Sequence, residues 1–276
     1  MAQKTIAFYH PAGIDSGNGK TLRLDIAPVH VACAVIADGK PYAFEFFELA
    51  DDINDWSDVF FEIKRNSVLL EHHFDQVFIT CNFKEAVMIP VEKSSNAAGE
   101  DFLALLFGDN YTDDTKHDKL DTEKPMMNVY RVKKSIHEQA LRHFHLYQFK
   151  HIYTEIVESL SQNQTPHLLF LQVYQSIFIV TLWDNNQLQF IQTYDYSCPE
   201  DIGYHILALL KEYQLQPEDI MLEMSGFIEP HGELHRKLQM LFVNRQFKQI
   251  PESLLLPGML ESHHPHTFTP FFNSII

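Results

Sequence analysis

The same order of predicted elements occurs twice along the chain, and this repeat limits the possible folds more than any other feature of the sequence. In the first half, β-branched and aromatic residues predict three strands, Leu22–Ala27, Val29–Ile36 and Tyr42–Leu49. Asp38-Gly39 between the last two strands is a strong hairpin signal. A helix and a further strand, Gln76–Cys81, follow, so the predicted unit is β-β-β-α-β.

The second half has the same pattern. Its three predicted strands are Leu168–Tyr174, Ile177–Trp183 and Gln187–Tyr194, and a helix and the strand Ile220–Met224 come after them. Corresponding turns and helix starts are separated by nearly the same number of residues, which indicates a duplication. The middle strand of each half is apolar at odd and even positions alike, so both faces of both sheets are expected to be covered.

Each predicted helix of the repeat has a capping signal and one apolar stripe. The first has Asp51 or Asp52 as its N-cap, and its stripe is Ile53, Trp56, Phe60 and Ile63. The second has a capping box, Ser197 with Glu200, and its stripe is Ile202, Ile206, Leu209 and Tyr213. Both helices are therefore expected to pack one face against the sheet.

The segments outside the repeat have weaker signals. Further helices are predicted to end near Phe107 and to span Ser135–Phe144, Phe149–Ser161 and Gly232–Phe242, and Gln246–Ile250 is predicted as a last strand. The polar stretch Asp109–Lys124 is predicted to be an exposed loop, and the His-rich tail from Pro257 onward to be irregular. Phe44, Phe46 and Phe47, which alternate with acids, leave room for an exposed apolar patch.

Length and charge narrow the class of protein. With 276 residues and 45% hydrophobic content, the chain can bury two cores, and we expect domains at 1–160 and 161–276. The net charge of -16 opposes binding to a phosphate backbone, so neither nucleic acid nor an anionic membrane surface is an expected partner. No apolar run approaches the roughly 18 residues of a membrane span, and the expected location is the cytoplasm.

The cysteines and histidines do not predict a metal site. Cys33, Cys81 and Cys198 have no CxxC spacing, so we expect neither a disulfide framework nor structural zinc. His231 and His235 have the i, i+4 spacing of zinc ligands on a helix, but no third ligand is evident, and a solvated helix face is the favoured interpretation.

Several stretches of the second half resemble the bacterial domain-of-unknown-function family 3822. They are Gln175–Leu182, Leu188–Tyr196, Glu200–Tyr204, Leu215–Glu218 and Met224–Gly226, and Ile89-Pro90 fits the same pattern in the first half. The tandem meander, helix and strand resemble the duplicated ribonuclease-H-like core of the actin-like ATPase superfamily. This resemblance implies two domains, each with a mixed sheet flanked by helices, similar to cytoplasmic assembly proteins of type IV pili and type II secretion.

The resemblance also identifies where nucleotide motifs would lie. Actin-like ATPases bind phosphate and metal with two Asp-x-Gly hairpins and hold adenosine at a Gly-rich turn. The matching stretches here are Asp25-Ile26-Ala27, Gln172-Val173-Tyr174 and Met224-Ser225-Gly226, each of which lacks part of the pattern. The first keeps its acid but loses the Gly, and the second loses both. We therefore expect no catalytic residues and no ATP hydrolysis.

A superficial phosphate-loop pattern precedes the first strand. Gly13 stands one residue too far from Gly19-Lys20, and the residues after Thr21 are strand-like, whereas a real phosphate loop leads into a helix. A polar lead segment is the favoured interpretation.

Two main hypotheses remain open. The first is a non-catalytic actin-like scaffold or interaction module that binds an unidentified protein partner and needs no cofactor. The second is a nucleotide- or small-molecule-binding protein in which Asp25, Gln172, Ser225 and Gly226 converge in the cleft between the domains, with ATP and magnesium as the expected ligands. A metal-dependent hydrolase built on His231 and His235 is a third, weaker alternative. The oligomeric state is left open.

Overall fold

A computed structural model describes residues 2–11, 13, 19–50, 53, 55–93, 96–122 and 124–273. The chain divides into two compact units. Unit 1 contains Met1–Glu158 and Ser253–Gly258, and unit 2 contains Ser159–Glu252 and Met259–Ser274. Each unit is an α/β structure with its own sheet and helices. The domain bounds 1–160 and 161–276 stay a prediction. No helix in the described ranges is long and apolar enough to cross a membrane.

Unit 1 has nine strands and four helices along the described chain. The strands are β1 Ala2–Tyr9, β2 Lys20–Ile26, β3 His30–Ala37, β4 Lys40–Leu49, β5 Gln76–Cys81, β6 Ala86–Pro90, β7 Asp114–Leu120, β8 Met126–Val132 and β9 Tyr147–His151. The helices are α1 Trp56–Asn66, α2 Asn96–Phe107, α3 Lys134–His143 and α4 Ile152–Leu160.

A six-stranded mixed sheet forms the centre of unit 1, in the order β1-β4-β3-β2-β5-β9. β2, β5 and β9 are parallel, and the strands from β1 to β2 are antiparallel. The predicted turn between β3 and β4 has positive φ at both Asp38 and Gly39, as a tight hairpin requires. β3 is buried along nearly its whole length, which confirms that both faces of this sheet are covered.

Helix α1 begins later than its sequence signals indicated. Its N-cap is Asp55, whose carboxylate accepts a hydrogen bond from Ser57 N at 2.9 Å. The predicted caps Asp51 and Asp52 lie outside the described residues. Trp56, Phe60 and Ile63 are buried, as the helical spacing predicted. Val59 is buried with them, and Ile53 precedes the helix.

The predicted loop Asp109–Lys124 was wrong, because β7 occupies its centre. β7 pairs with β8, and β8 pairs with β6, in a separate antiparallel sheet packed against α2. Its exposed face explains the polar sequence of β7, since a half-solvated strand alternates polar residues with buried ones. The helix predicted from Phe149 was also wrong at its start, because β9 pairs with β5 before α4 begins.

The expected exposed patch on β4 is buried instead. Phe44, Phe46 and Phe47 have no exposed surface, and β4 is not an edge strand, because β1 pairs with it. Glu45 is buried with them and accepts hydrogen bonds from Lys4 Nζ at 3.1 Å, Val68 N at 2.9 Å, the Tyr9 hydroxyl and the Ser67 hydroxyl. The buried charge is therefore paired and fully hydrogen-bonded.

Unit 2 has one five-stranded sheet in the order β12-β11-β10-β13-β14. Its strands are β10 His167–Val173, β11 Ile177–Asp184, β12 Gln187–Asp195, β13 Met221–Gly226 and β14 Arg245–Phe247, and its helices are α5 Pro199–Glu212, α6 Glu233–Leu241, α7 Met259–Ser262 and α8 Thr269–Phe272. β10, β13 and β14 are parallel, and the meander β10-β11-β12 is antiparallel. This confirms the predicted repeat of the β-β-β-α-β order.

Two details of unit 2 differ from the sequence-based expectation. The acid that caps α5 is Asp201 and not Glu200, because the helix begins at Pro199 and the Asp201 carboxylate accepts from Ser197 N and Cys198 N. The tail is not irregular, because α7 and α8 fold within it and Phe268 and Phe272 are fully buried.

Candidate functional site

In unit 1, Asp25 lies at the carboxyl end of β2, where the first nucleotide hairpin was predicted. Its carboxylate is nearly buried and lies 3.0 Å from His30 Nε2. The amide of Asn82 contacts the same oxygen at 3.5 Å. His30 is itself fully buried and stacks on Phe46. The acid that a metal ion would need is therefore already bonded to side chains of the same unit.

The turn that follows β2 offers few donors to an anion. Ala27 N donates to His30 O at 2.9 Å, so this amide closes the turn. Pro28 has no amide hydrogen. Phosphate cradles depend on free backbone N–H groups, and this hairpin lacks them at two successive positions.

In unit 2, Gln172 occupies the position of the second hairpin acid and is fully buried. Its amide nitrogen donates to the Tyr174 hydroxyl, and its carbonyl oxygen accepts from Asn273 Nδ2 at 3.1 Å. Tyr174 N donates across the hairpin to Ile177 O at 2.9 Å. Both ends of the Gln172 amide and the hairpin N–H are therefore satisfied within the unit.

Ser225 and Gly226 lie beside Gln172, because β13 pairs in parallel with β10. The Thr269 hydroxyl donates to His266 O, so the Ser225 hydroxyl is the donor in its 2.6 Å contact with Thr269 Oγ1. Gly226 has φ +88°, and a Cβ there would lie 2.1 Å from Val173 O. Its role in the fold is therefore close packing of two strands.

Lys248 joins this cluster and was not identified from the sequence. It is 9% exposed, its Nζ donates to Asn273 Oδ1 at 3.2 Å, and it lies over the Phe170 ring. Burial lowers the pKa of Lys248, and the nearby Glu223 carboxylate opposes this effect. No sequence signal marks it, since a lysine that directly follows a short strand is normally exposed.

The predicted site residues are thus brought together only in part. Gln172, Ser225 and Gly226 are neighbours at the carboxyl ends of β10 and β13. The partners of Gln172 and Ser225 come from the C-terminal segment, Thr269 and Asn273. Asp25 belongs to unit 1, and its convergence with the other three residues in a cleft stays a prediction.

A family model of proteins of unknown function, DUF3822, matches residues 15–244. The chain belongs to the DUF3822 family. No curated protein matches this DUF3822 protein in sequence. The resemblance noted from the second half of the sequence is therefore confirmed.

Solved structures show the fold of this DUF3822 protein. A Bacteroides thetaiotaomicron protein described as having an actin-like ATPase fold and unknown function has a TM-score of 0.75 at 15% identity, covering 86% of this chain and 94% of that one. PilM in the PilM-PilN type IV pilus biogenesis complex has a TM-score of 0.62 at 13% identity, covering 92% and 96%. The ethanolamine utilization protein EutJ from Carboxydothermus hydrogenoformans has a TM-score of 0.52 at 7% identity, covering 94% of this chain and 90% of that one. The chain has the actin-like ATPase fold.

His231 precedes α6 and His235 lies within it, and the two make contacts within the DUF3822 protein. His235 Nδ1 accepts a hydrogen bond from His231 N at 2.9 Å, and its Nε2 lies 3.3 Å from the Gln239 amide. His235 is buried against Phe247, so the predicted solvated face was wrong for this residue. Within the described ranges, no three His, Cys, Asp or Glu residues are placed to hold a metal ion.

Proposed function

We propose that this DUF3822 protein is a non-catalytic actin-like interaction module that binds another protein. The observation that carries the proposal is the closed hydrogen-bond network at the carboxyl ends of β10 and β13. There the C-terminal segment satisfies Gln172 and Ser225, the residues at two of the three predicted nucleotide motifs. Phosphoryl transfer depends on positioned donors and a metal that stabilise charge, and a self-satisfied network offers neither.

The hairpin of unit 1 supports the same proposal. Asp25 is bonded to His30, and the turn after it lacks donors at Ala27 and Pro28. An ATPase would need to break the Asp25–His30 contact before magnesium could bind. Breaking this contact costs free energy in the nucleotide-bound state, so any affinity for nucleotide is weakened.

The kind of partner follows from charge and from one similar structure. The net charge of -16 argues against nucleic acid, since binding to phosphates depends on Lys and Arg. PilM, which shares the fold, has been solved in a complex with PilN. A protein partner is therefore the class we propose, and an assembly role in the cytoplasm is part of the same proposal.

The test is a pair of measurements on the full chain, ATP turnover with magnesium and thermal unfolding with millimolar ATP or ADP. We expect no magnesium-dependent turnover and no rise in melting temperature. A ligand at about a hundred times its Kd would stabilise the native state by about 2.7 kcal/mol, so binding would be visible. Magnesium-dependent turnover that is lost in Asp25→Asn would refute the proposal.

The retained acid Asp25 favours one second candidate, a nucleotide- or small-molecule-binding protein that uses magnesium and ATP in the cleft. For this function, Asp25, Gln172, Ser225 and Gly226 would have to converge. A rise in melting temperature with ATP and magnesium, without turnover and abolished by Asp25→Asn, would support it. A rise that Asp25→Asn leaves unchanged would place the nucleotide elsewhere.

A further inference from the structure

Unit 1 contains a cavity of about 600 Å³. Phe60 and Lys64 of α1 line it, together with residues 70–75 before β5 and residues 143–145 before β9. These segments lie at the amino ends of the parallel strands β5 and β9. Asp25 lies near the carboxyl end of β2, so the cavity opens at the opposite edge of the same sheet.

Two helices that end side by side build the cavity wall. The Gln139 amide of α3 donates to the Ser57 hydroxyl of α1 at 2.9 Å, near the start of α1. The rings of Phe60 and His143 are nearly parallel, and Lys64 Nζ lies 3.4 Å from His143 Nδ1. Both helices therefore run in the same direction and present their last turns to the cavity.

These last turns carry three permanent cations in a chain of net charge -16: Lys64 and Arg65 on α1, and Arg142 on α3. All three are exposed, and in the described part of the chain none forms a salt bridge. Glu71 and Asp75 line the cavity on the segment before β5. Carboxylates of an occupant would therefore lie on the side of the helices, where the cations are.

The apolar side chains at the cavity favour a polypeptide over a small molecule as its occupant. Phe60, Phe74 and Phe144 line the cavity. Two residues that follow lining residues in the chain, Phe61 and Leu146, are 69% and 55% exposed. A small molecule inside the cavity would leave these two outer side chains in water. A peptide that crosses the cavity covers them, which adds apolar burial to the binding free energy.

We propose that the cavity and its rim bind an acidic amphipathic peptide segment of a partner protein. One apolar side chain of the peptide enters the cavity, and its neighbours pack on Phe61 and Leu146. Asp or Glu side chains of the peptide pair with Lys64, Arg65 and Arg142. This inference rests on the proposed function and adds to it a surface and a partner chemistry.

The test starts from a display library of random 16-residue peptides selected on the full chain. We expect the enriched peptides to combine apolar residues at helical spacing with an excess of Asp and Glu. The best peptide, labelled with fluorescein, then reports affinity by fluorescence polarisation. Its Kd should rise at least tenfold in Phe61→Ser and in the double variant Lys64→Glu, Arg142→Glu, and it should rise with salt concentration.

The matched controls are Leu105→Ser and Lys211→Glu, which change an exposed apolar residue of α2 and an exposed cation of α5. We expect both to leave the Kd and the melting temperature unchanged. All substituted side chains are exposed, so the variants should fold, and equal melting temperatures check this.

Three outcomes would overturn the peptide proposal. They are a library without binders, enriched peptides without an acidic bias, and binding that ignores Phe61→Ser. The last would leave a protein-binding function standing at another surface. If the protein self-associates in sedimentation experiments and Phe61→Ser abolishes this association, the surface instead binds a second copy of the chain. ATP turnover would contradict the proposed function without affecting this surface.

Discussion

Burial should prevent His151 from taking up a proton until the solution is strongly acidic. His151 is fully buried in unit 1, and burial lowers its pKa to about 3 while its bond to Phe83 O opposes the shift. Its Nε2 donates to Phe83 O at 2.8 Å, and its Nδ1 accepts from Tyr153 N at 3.1 Å. A second proton would place Nδ1–H against the Tyr153 N–H, so the geometry also holds the ring neutral.

The sign and the size of the effect follow from linkage. An unfolded histidine titrates near 6.5, and the folded pKa is lower, so acid favours the unfolded chain. At 1.36 kcal/mol for each unit of pKa difference, His151 removes about 3 kcal/mol of stability between pH 7 and pH 4. The full loss of about 5 kcal/mol is reached only below the folded pKa.

The perturbation is His151→Asn, measured by urea unfolding at pH 7 and pH 4. At pH 7 the variant should be less stable by about 1–3 kcal/mol, because Phe83 O loses its donor. At pH 4 the difference should shift by about 3 kcal/mol in favour of the variant. Asp118 accepts from the His151 backbone N–H in both proteins, so its own titration cancels in the comparison.

The control is His145→Asn, at an exposed position, which should leave the stability at pH 7 within about 0.5 kcal/mol of the native value. A direct reading comes from the imidazole NMR shifts of the native protein. If the His151 ring titrates near pH 6.5, or if His151→Asn loses as much stability with acid as the native protein does, the burial argument is refuted.

Four further substitutions test the packing and the buried charges. Gly226→Ala should destabilise unit 2 by more than about 3 kcal/mol in chemical unfolding, since it combines a positive φ with a backbone clash; Gly39→Ala, with open space around it, should lose only about 1 kcal/mol. Lys248→Met should become more stable relative to the native protein as the pH falls from about 10.4 to 7, because burial lowers the pKa of Lys248 in the folded protein and the unfolded lysine takes up its proton first. A difference in stability that does not change with pH would show that burial does not lower this pKa. Glu45→Gln should lower the melting temperature and cost about 3 kcal/mol, because Lys4 loses its buried partner; an unchanged melting temperature would contradict this.

The parts of the fold that local patterns encode could be predicted from the sequence. The hairpin turns at Asp38-Gly39 and Asn185-Asn186 have the positive φ values that these residues tolerate. The predominantly apolar strands β3 and β11 are buried on both faces, as their composition requires. Short-range chemistry was sufficient in these places.

The features that depend on distant partners could not be predicted. The strand β7 is polar and becomes a strand only because β8 pairs with it. β9 has the sequence of a helix start, but pairing with β5 overrides this preference. Lys248 is hydrogen-bonded to Asn273, which lies 25 residues further along the chain, so neither residue could be assigned a role from its local sequence. The cavity likewise forms where the ends of α1 and α3 meet.

The path of the chain between the two units has a consequence for how the protein can be divided. Residues 253–258 belong to unit 1, yet the chain enters them from unit 2 and returns to unit 2 at Met259. A cut after Glu158 would therefore leave a piece of unit 1 on the second fragment, and a cut after Glu252 would take Thr269 and Asn273 from unit 2. No single cut of the chain therefore yields two fragments that each contain one whole unit.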